Sequence, residues 1–291
     1  MGVMKKSCVK HAVVSSARIE ASKIGIEILK NGGNAIDAAV AVGFALGVCE
    51  PSTSGLGGGG FMMIKDKTLS EPVVIDFREN APRNANEDMW KFDEDGKVLN
   101  KENQIGGKSV ATPGEVAGLL YALEKYGTMP AEEVISPAAE LAEKGFVITK
   151  MMQKHFADYK DYLRMCPGSV DLYFKKNNIK VGKICRNPDL ANILKNIAKY
   201  GSEWFYKGDL AKKIIDCVEQ RDGVMTAQDL EEYKITVRKP VVGSYRGYKI
   251  YSNALPSSGG THIIQALNIL ENFEIGSMEV NSAEYLHIFS E

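Results

Sequence analysis

The sequence has little of what staples a small domain together. Its five cysteines (Cys8, Cys49, Cys166, Cys185 and Cys217) are odd in number, no CxxC pair occurs, and the four histidines His11, His155, His262 and His287 stand far apart. That spacing argues against a disulfide framework or a zinc site and for small buried or reduced thiols. Long apolar runs are also missing. The longest uncharged one, 38–49, has 12 residues, well short of the roughly 20 that cross a bilayer as a helix, so no membrane span is expected. No charge sign dominates, with 36 Lys and Arg against 37 Asp and Glu. This leaves no electrostatic footprint for nucleic acid or an anionic membrane surface. Met1 to Lys10 carries charge with no apolar run behind it, and Lys6 stands where a myristoylation motif needs Ser or Thr. As written, the chain shows no signal peptide and is expected in the cytoplasm.

What is there suits a globular protein. The 291 residues, 44% of them hydrophobic and 25% charged, are enough to bury a core and exclude disorder. No composition shift marks a boundary, so 1–291 reads as a single domain. Short strands alternate with helices, which predicts an α/β fold. A helix is expected over Glu20 to Lys30, closed by Asn31-Gly32-Gly33. Asn34 should cap a second helix over Ala35 to Val48, small and apolar all round and therefore buried. Strands are predicted at Phe61 to Ile64 and Val73 to Phe77. Thr112-Pro113-Gly114-Glu115 reads as a capping box with Pro at the first helical position. Further helices are expected at Ala131 to Glu143, Lys150 to Leu163, Pro188 to Tyr200 capped by Asn187, Leu210 to Glu219 and Thr261 to Leu270. A hairpin is expected over Val237 to Ser252 with Gly243 and Gly247 as turn or bulge positions.

Three motifs fail on context. Gly55, Gly57 and Gly60 match GxGxxG, but a helix precedes the loop and a strand follows, the reverse of a dinucleotide site. The loop is then either a tight packing crossover or the wall of a cleft. Gly107-Lys108-Ser109 ends like a phosphate loop, yet Glu102 stands where its first glycine belongs. Gly243-Ser244-Tyr245-Arg246-Gly247 misplaces its serine for a nucleophile elbow. Asp76-Phe77-Arg78-Glu79 lies at a strand end, where sites gather in α/β sheets. There Arg78 offers either a planar fork for a carboxylate or a surface ion pair with Glu79 or Asp76. Pro256-Ser257-Ser258-Gly259-Gly260 opens a helix, as an anion site or as a plain serine-capped start.

Taken in order, several segments resemble the γ-glutamyltranspeptidases. They are 31–41 (NGGNAIDAAVA), Glu50-Pro51-Ser52 through the glycines to Phe61, and Asp76-Phe77-Arg78-Glu79 with Ala81-Pro82. Thr112-Pro113-Gly114, Lys125-Tyr126-Gly127, Tyr245-Arg246-Gly247-Tyr248 and 256–260 (PSSGG) continue the series. The resemblance implies a four-layer αββα sandwich of the N-terminal-nucleophile hydrolases, with this chain its large-subunit part only. In that family a precursor cuts itself in two. The new N-terminal threonine of the small subunit attacks the γ-amide of glutathione and related γ-glutamyl compounds, with its own amine as base. The glutamyl group then passes to water or an acceptor amine. Of this machinery only Arg78 has a counterpart here, as the arginine that grips the substrate's α-carboxylate. The nucleophile, the α-amine acceptors and the oxyanion-hole glycines come later than this sequence reaches. Thr261-His262 is a false match, because it leads into a helix and the nucleophile must begin a strand.

The resemblance therefore implies a small catalytic subunit of the same precursor as partner, no cofactor or metal, and a chain inactive alone. Relatives that act on poly-γ-glutamate capsules or acylated β-lactams share the fold, and Arg78 favours substrates with a free α-carboxylate. A non-catalytic remnant is the remaining reading. The family's bacterial members are commonly exported, at odds with the missing signal peptide. The last helix opens at Asn281-Ser282-Ala283-Glu284 and reaches Glu291 without a stop signal, so truncation and an uncovered apolar face at Leu286 and Phe289 are expected.

Overall fold

Asn34 illustrates how local chemistry places the first elements. Helix α1 (Ile19–Lys30) ends at the Asn31-Gly32-Gly33 turn, and Asn34 then starts α2 (Ala35–Cys49). Its side chain accepts the N–H groups of Ile36 and Asp37 at 2.8 and 2.9 Å, while the Asp37 carboxylate accepts the Asn34 N–H at 2.7 Å. Both partners of a capping box are thus satisfied. The computed structural model describes residues 11–177 and 179–291. The expectations for Met1 to Lys10, Cys8 among them, lie outside the described residues.

Contacts divide the chain into two compact units. The larger takes in the chain up to Gly60 together with Phe77–Ile235. Its centre is α2, packed against α1, α3 (Glu115–Tyr126) and α4 (Ala131–Lys144). Small side chains on every side let the neighbours approach, and ten of the 15 residues of α2 are buried. Asp37 is fully buried at the N-terminus of this helix. It also accepts from the Thr128 N–H at 2.9 Å, the Thr128 hydroxyl at 2.6 Å and the Met129 N–H at 3.2 Å. One carboxylate therefore ties α2 to the loop between α3 and α4.

The sequence places Lys150 to Leu163 in one helix, but it breaks at Tyr159 into α5 (Lys150–Asp158) and α6 (Lys160–Arg164). Only Met152 of the two is buried, so too little core contact exists to hold them to one axis. A short turn α7 (Pro167–Ser169) and a π-helical segment Val170–Lys176 follow. Helix α8 (Pro188–Tyr200) carries the expected Asn187 cap and packs on α4. The unit is completed by α9 (Ser202–Tyr206), α10 (Gly208–Glu219) and α11 (Ala227–Glu231), with Phe146–Val147 paired antiparallel to Ile184–Cys185.

The smaller unit comprises Phe61–Asp76 and Thr236–Glu291. Strands β1 (Phe61–Ile64), β2 (Val73–Asp76) and β3 (Thr236–Arg238) form an antiparallel sheet in that order, with Phe61 opposite Asp76 and Val74 opposite Arg238. The expected hairpin over 237–252 is therefore shorter, because its first residues pair with β2 instead. The hairpin itself joins β4 (Val241–Tyr245) to β5 (Tyr248–Ser252) through Arg246 and Gly247. Helix α12 (Gly259–Leu270) packs on it with Ile264 beside Gly243. It starts two residues earlier than expected, so Thr261 lies inside it, and Ser282 caps the last helix α13 (Ala283–Ser290).

Much apolar surface of this unit is open. Helix α12 buries only Gly260 and α13 buries no residue. Ile263 and Ile269 on one, and Leu286 and Phe289 on the other, are each more than half exposed.

Candidate functional site

Arg78 stands two residues beyond β2 on a segment held from several directions. On one side lies the glycine loop that follows α2. Gly60 and Phe77 exchange backbone hydrogen bonds at 3.3 and 3.0 Å, and the Gly58 carbonyl accepts the N–H groups of Gly114 and Glu115 at 2.8 and 3.0 Å. A Cβ on Gly59 would collide with the Phe77 carbonyl oxygen, and one on Gly118 would enter the Phe77 ring. The glycines are there for close approach. Of the two sequence alternatives for this loop, the packing crossover is realised, and it crosses directly against the Arg78 segment.

On the other side, Asn80 and Thr112 form an isolated antiparallel bridge, with N–H to O distances of 3.2 and 2.8 Å. This corrects the expected capping box. Thr112 uses its backbone in that bridge, the cap falls at Gly114, and α3 begins at Glu115. The Pro113 carbonyl is taken by the Tyr206 hydroxyl at 2.9 Å.

A third tether comes from α11. The Asp229 carboxylate accepts the Arg83 N–H at 2.9 Å and the Thr226 N–H at 2.8 Å. Burial pushes the Asp229 carboxyl up, but the Arg83 and Thr226 N–H groups, the Thr226 hydroxyl and the Arg83 charge outweigh it and hold the group below its usual value. Just beyond, the Tyr233 hydroxyl donates to the Arg78 carbonyl at 2.8 Å, from 155 residues away in sequence. The Tyr233 ring stacks on Tyr206 with 5.7 Å between centroids. The backbone under Arg78 is therefore fixed by three separate elements, while its guanidinium lies on an exposed residue. Tyr233→Phe, which deletes one hydrogen bond and keeps the stack, is expected to cost about 1 kcal/mol of stability, measured by urea unfolding.

Asp76 accepts from Arg238 Nε at 2.7 Å, a partner the sequence did not indicate. Sequence reasoning also missed Glu115. Burial first, and then the charge of Glu79, pushes its carboxyl up to about 7. No local pattern marks this, since a Glu in the first turn of a helix is ordinary capping chemistry. Between about pH 4.5 and 7 the native protein holds a proton here that the unfolded chain has released. Stability therefore falls as pH rises through that window. Glu115→Gln is expected to remove this loss, so that its stability gain over the parent is larger at pH 8 than at pH 5 in urea titrations. An equal difference at both pH values would count against a buried, neutral Glu115.

The rejected motifs stay rejected. Lys108 pairs with Glu102 at 2.8 Å, which occupies the cation a phosphate would need. No group of three metal-ligating side chains gathers among the described residues, nor is any helix there long and apolar enough to cross a membrane. The four described thiols are free, in line with the expectation of buried or reduced cysteines: Cys49 and Cys185 are buried, Cys166 is half-buried and Cys217 exposed.

The family model for γ-glutamyltranspeptidase matches residues 21–291. The chain is 42% identical over 284 residues to the glutathione hydrolase proenzyme of Escherichia coli K12, covering 97% of this chain and 49% of that protein. It is 40% identical over 277 residues to the acylase ACY 1 proenzyme of Pseudomonas sp. strain V22, covering 93% of this chain and 50% of the relative. The chain thus spans about half the length of the curated relatives it matches. The crystal structure of Helicobacter pylori γ-glutamyltranspeptidase superposes with a TM-score of 0.92 at 39% identity, covering 98% of this chain and 82% of that one. The fold is that of an N-terminal-nucleophile hydrolase, as the ordered motifs implied, in its large-subunit portion. The chain belongs to the γ-glutamyltranspeptidase family.

Proposed function

We propose that this chain is the large-subunit segment of a γ-glutamyltransferase, and that it supplies Arg78 as the grip on the α-carboxylate of the γ-glutamyl group. The observation that carries the reading is the fixed backbone beneath Arg78, tied to the glycine loop, to Thr112 and to Tyr233. A planar guanidinium presented from a rigid segment is suited to bidentate carboxylate recognition, because little order remains to be imposed on binding. The reaction is cleavage of the γ-glutamyl amide of glutathione and related compounds, with transfer to water or an acceptor amine.

The small subunit of the same precursor is the partner, and it brings the threonine nucleophile. The open apolar faces of α12 and α13 support that partner. Thr261, inside α12, starts no strand and fills no such role. Expressed without its partner, the chain is expected to be inactive and to self-associate or precipitate. A stable monomer by light scattering would count against the uncovered face.

The functional test supplies the downstream region, in trans or as the full precursor, and measures turnover of γ-glutamyl-p-nitroanilide. Absence of turnover would overturn the reading. An acylase activity is the second reading, supported by the ACY 1 relative. Comparison with glutaryl-p-nitroanilide, which keeps the terminal carboxylate but lacks the α-amine, separates the two, and faster turnover of the γ-glutamyl compound is expected.

A further inference from the structure

Two of the exposed or half-exposed thiols meet at one cation. Arg221 follows α10, and its Nη1 lies 3.2 Å from Cys217 Sγ, while Nη2 lies 3.8 Å from Cys166 Sγ. Nη1 also donates to the Cys217 carbonyl at 2.9 Å, which fixes the guanidinium between the sulfurs. Cys166 comes from the turn ahead of α7, so tertiary structure alone makes this arrangement. Both cysteines line a cavity of about 500 Å³ that Lys108, Tyr162 and Asp222 also border.

The four described thiols differ in their chemistry. Burial pushes the Cys166 thiol up, but the Ser169 N–H and hydroxyl, the Gly168 N–H and the Arg221 charge outweigh it and hold the group below its ordinary value. Burial pushes Cys49 and Cys185 both up to about 11; at Cys49 the Glu20 charge adds to it, and the Arg18 charge and backbone N–H groups do not outweigh them. The thiolate is the nucleophile in disulfide exchange, so the buried pair is inert while folded.

We propose that Cys166 is a thiol-exchange site that takes up a small disulfide at this cavity, with Arg221 as the cation that stabilises the attacking sulfur. The Cys166 thiol first loses its proton to water. Its thiolate attacks one sulfur of the disulfide, a new S–S bond to Cys166 forms, and the original S–S bond breaks. The other half leaves as a thiolate and is protonated by solvent. The protein thiol is oxidised, half of the small disulfide is reduced, and no further oxidant is required. Arg78 does not line this cavity, and the exchange does not depend on the proposed γ-glutamyl chemistry.

The test adds oxidised glutathione to the purified protein near neutral pH, quenches with acid and maps each cysteine peptide over time. Cys166 should carry the adduct first, ahead of Cys217, with Cys49 and Cys185 unmodified. In Cys217→Ser the adduct should still form at Cys166. Arg221→Leu should slow the Cys166 reaction about threefold or more. Removing the opposite charge raises the thiol pKa and thins the thiolate, and the loss is only partly recovered in intrinsic nucleophilicity. Arg221→Lys should retain most of the rate. Labelling of Cys49 or Cys185 would report an unfolded variant, in which case Ser169→Ala, expected to slow Cys166 in the same sense, decides. Equal rates at Cys166 and Cys217, or a rate indifferent to both Arg221→Leu and Ser169→Ala, would overturn the proposal.

Discussion

Arg78→Ala, in the complete two-subunit enzyme, is expected to lower kcat/KM for γ-glutamyl-p-nitroanilide between about 30-fold and a few thousand-fold. Truncating one partner of a charge-assisted, desolvated pair costs about 2–5 kcal/mol, and each 1.36 kcal/mol is about tenfold in rate. The loss should fall mainly on KM, since the contact is made far from the scissile amide and equally in ground and transition states. Arg78→Lys keeps the charge without the fork and should land between parent and alanine variant. A glutaryl substrate, which keeps this carboxylate and lacks only the α-amine, should lose in the same sense, whereas a butyryl amide without the carboxylate should barely respond. Unchanged kcat/KM for the γ-glutamyl substrate in Arg78→Ala would take Arg78 out of the site. This outcome is separable from a failure of folding, because Arg78 is exposed and its tethers use main-chain atoms.

Asp37→Ala carries the largest expected effect on stability, roughly 3–5 kcal/mol. The residue is fully buried and accepts from Asn34, Thr128 and Met129, so its removal leaves several donors without an acceptor and opens the helix N-terminus. Scanning calorimetry should show a fall in Tm of roughly 6–20 °C for a chain of this size. Asp37→Asn keeps the volume and one acceptor oxygen and should lose less. A Tm for Asp37→Ala within about a degree of the parent would show that water or backbone relaxation replaces the carboxylate.

These two residues mark the range of what was legible. Asp37 was visible only as one letter in a family-like segment, yet its cap on Asn34 follows from local rules, three residues apart. Its second task, accepting from Thr128 and Met129, depends on a loop about ninety residues downstream. Arg78 was singled out from a strand end and from resemblance. Nothing in its neighbourhood named Tyr233, 155 residues on, as the donor beneath it. Nor did the sequence indicate that Glu79 and Glu115 would come near enough to raise one carboxyl.

The elements the sequence determined by itself are those whose energetics close within a turn or two: the Asn34 and Asn187 caps, the small-residue helix α2, the strands β1 and β2, and the glycine turn after α1. The ordered motifs likewise determined the family, because many short segments agree along the whole chain. Tertiary structure alone decided the start of α3, where Thr112 pairs with Asn80 instead of capping. It also decided the break at Tyr159, where too few buried contacts hold the axis straight, and the pairing of Asp76 with Arg238. The backbone support of Arg78 and the meeting of Cys166 with Cys217 at Arg221 belong to the same class. Each depends on which distant groups compete for the same donor, acceptor or charge, and that competition exists only once the chain has folded.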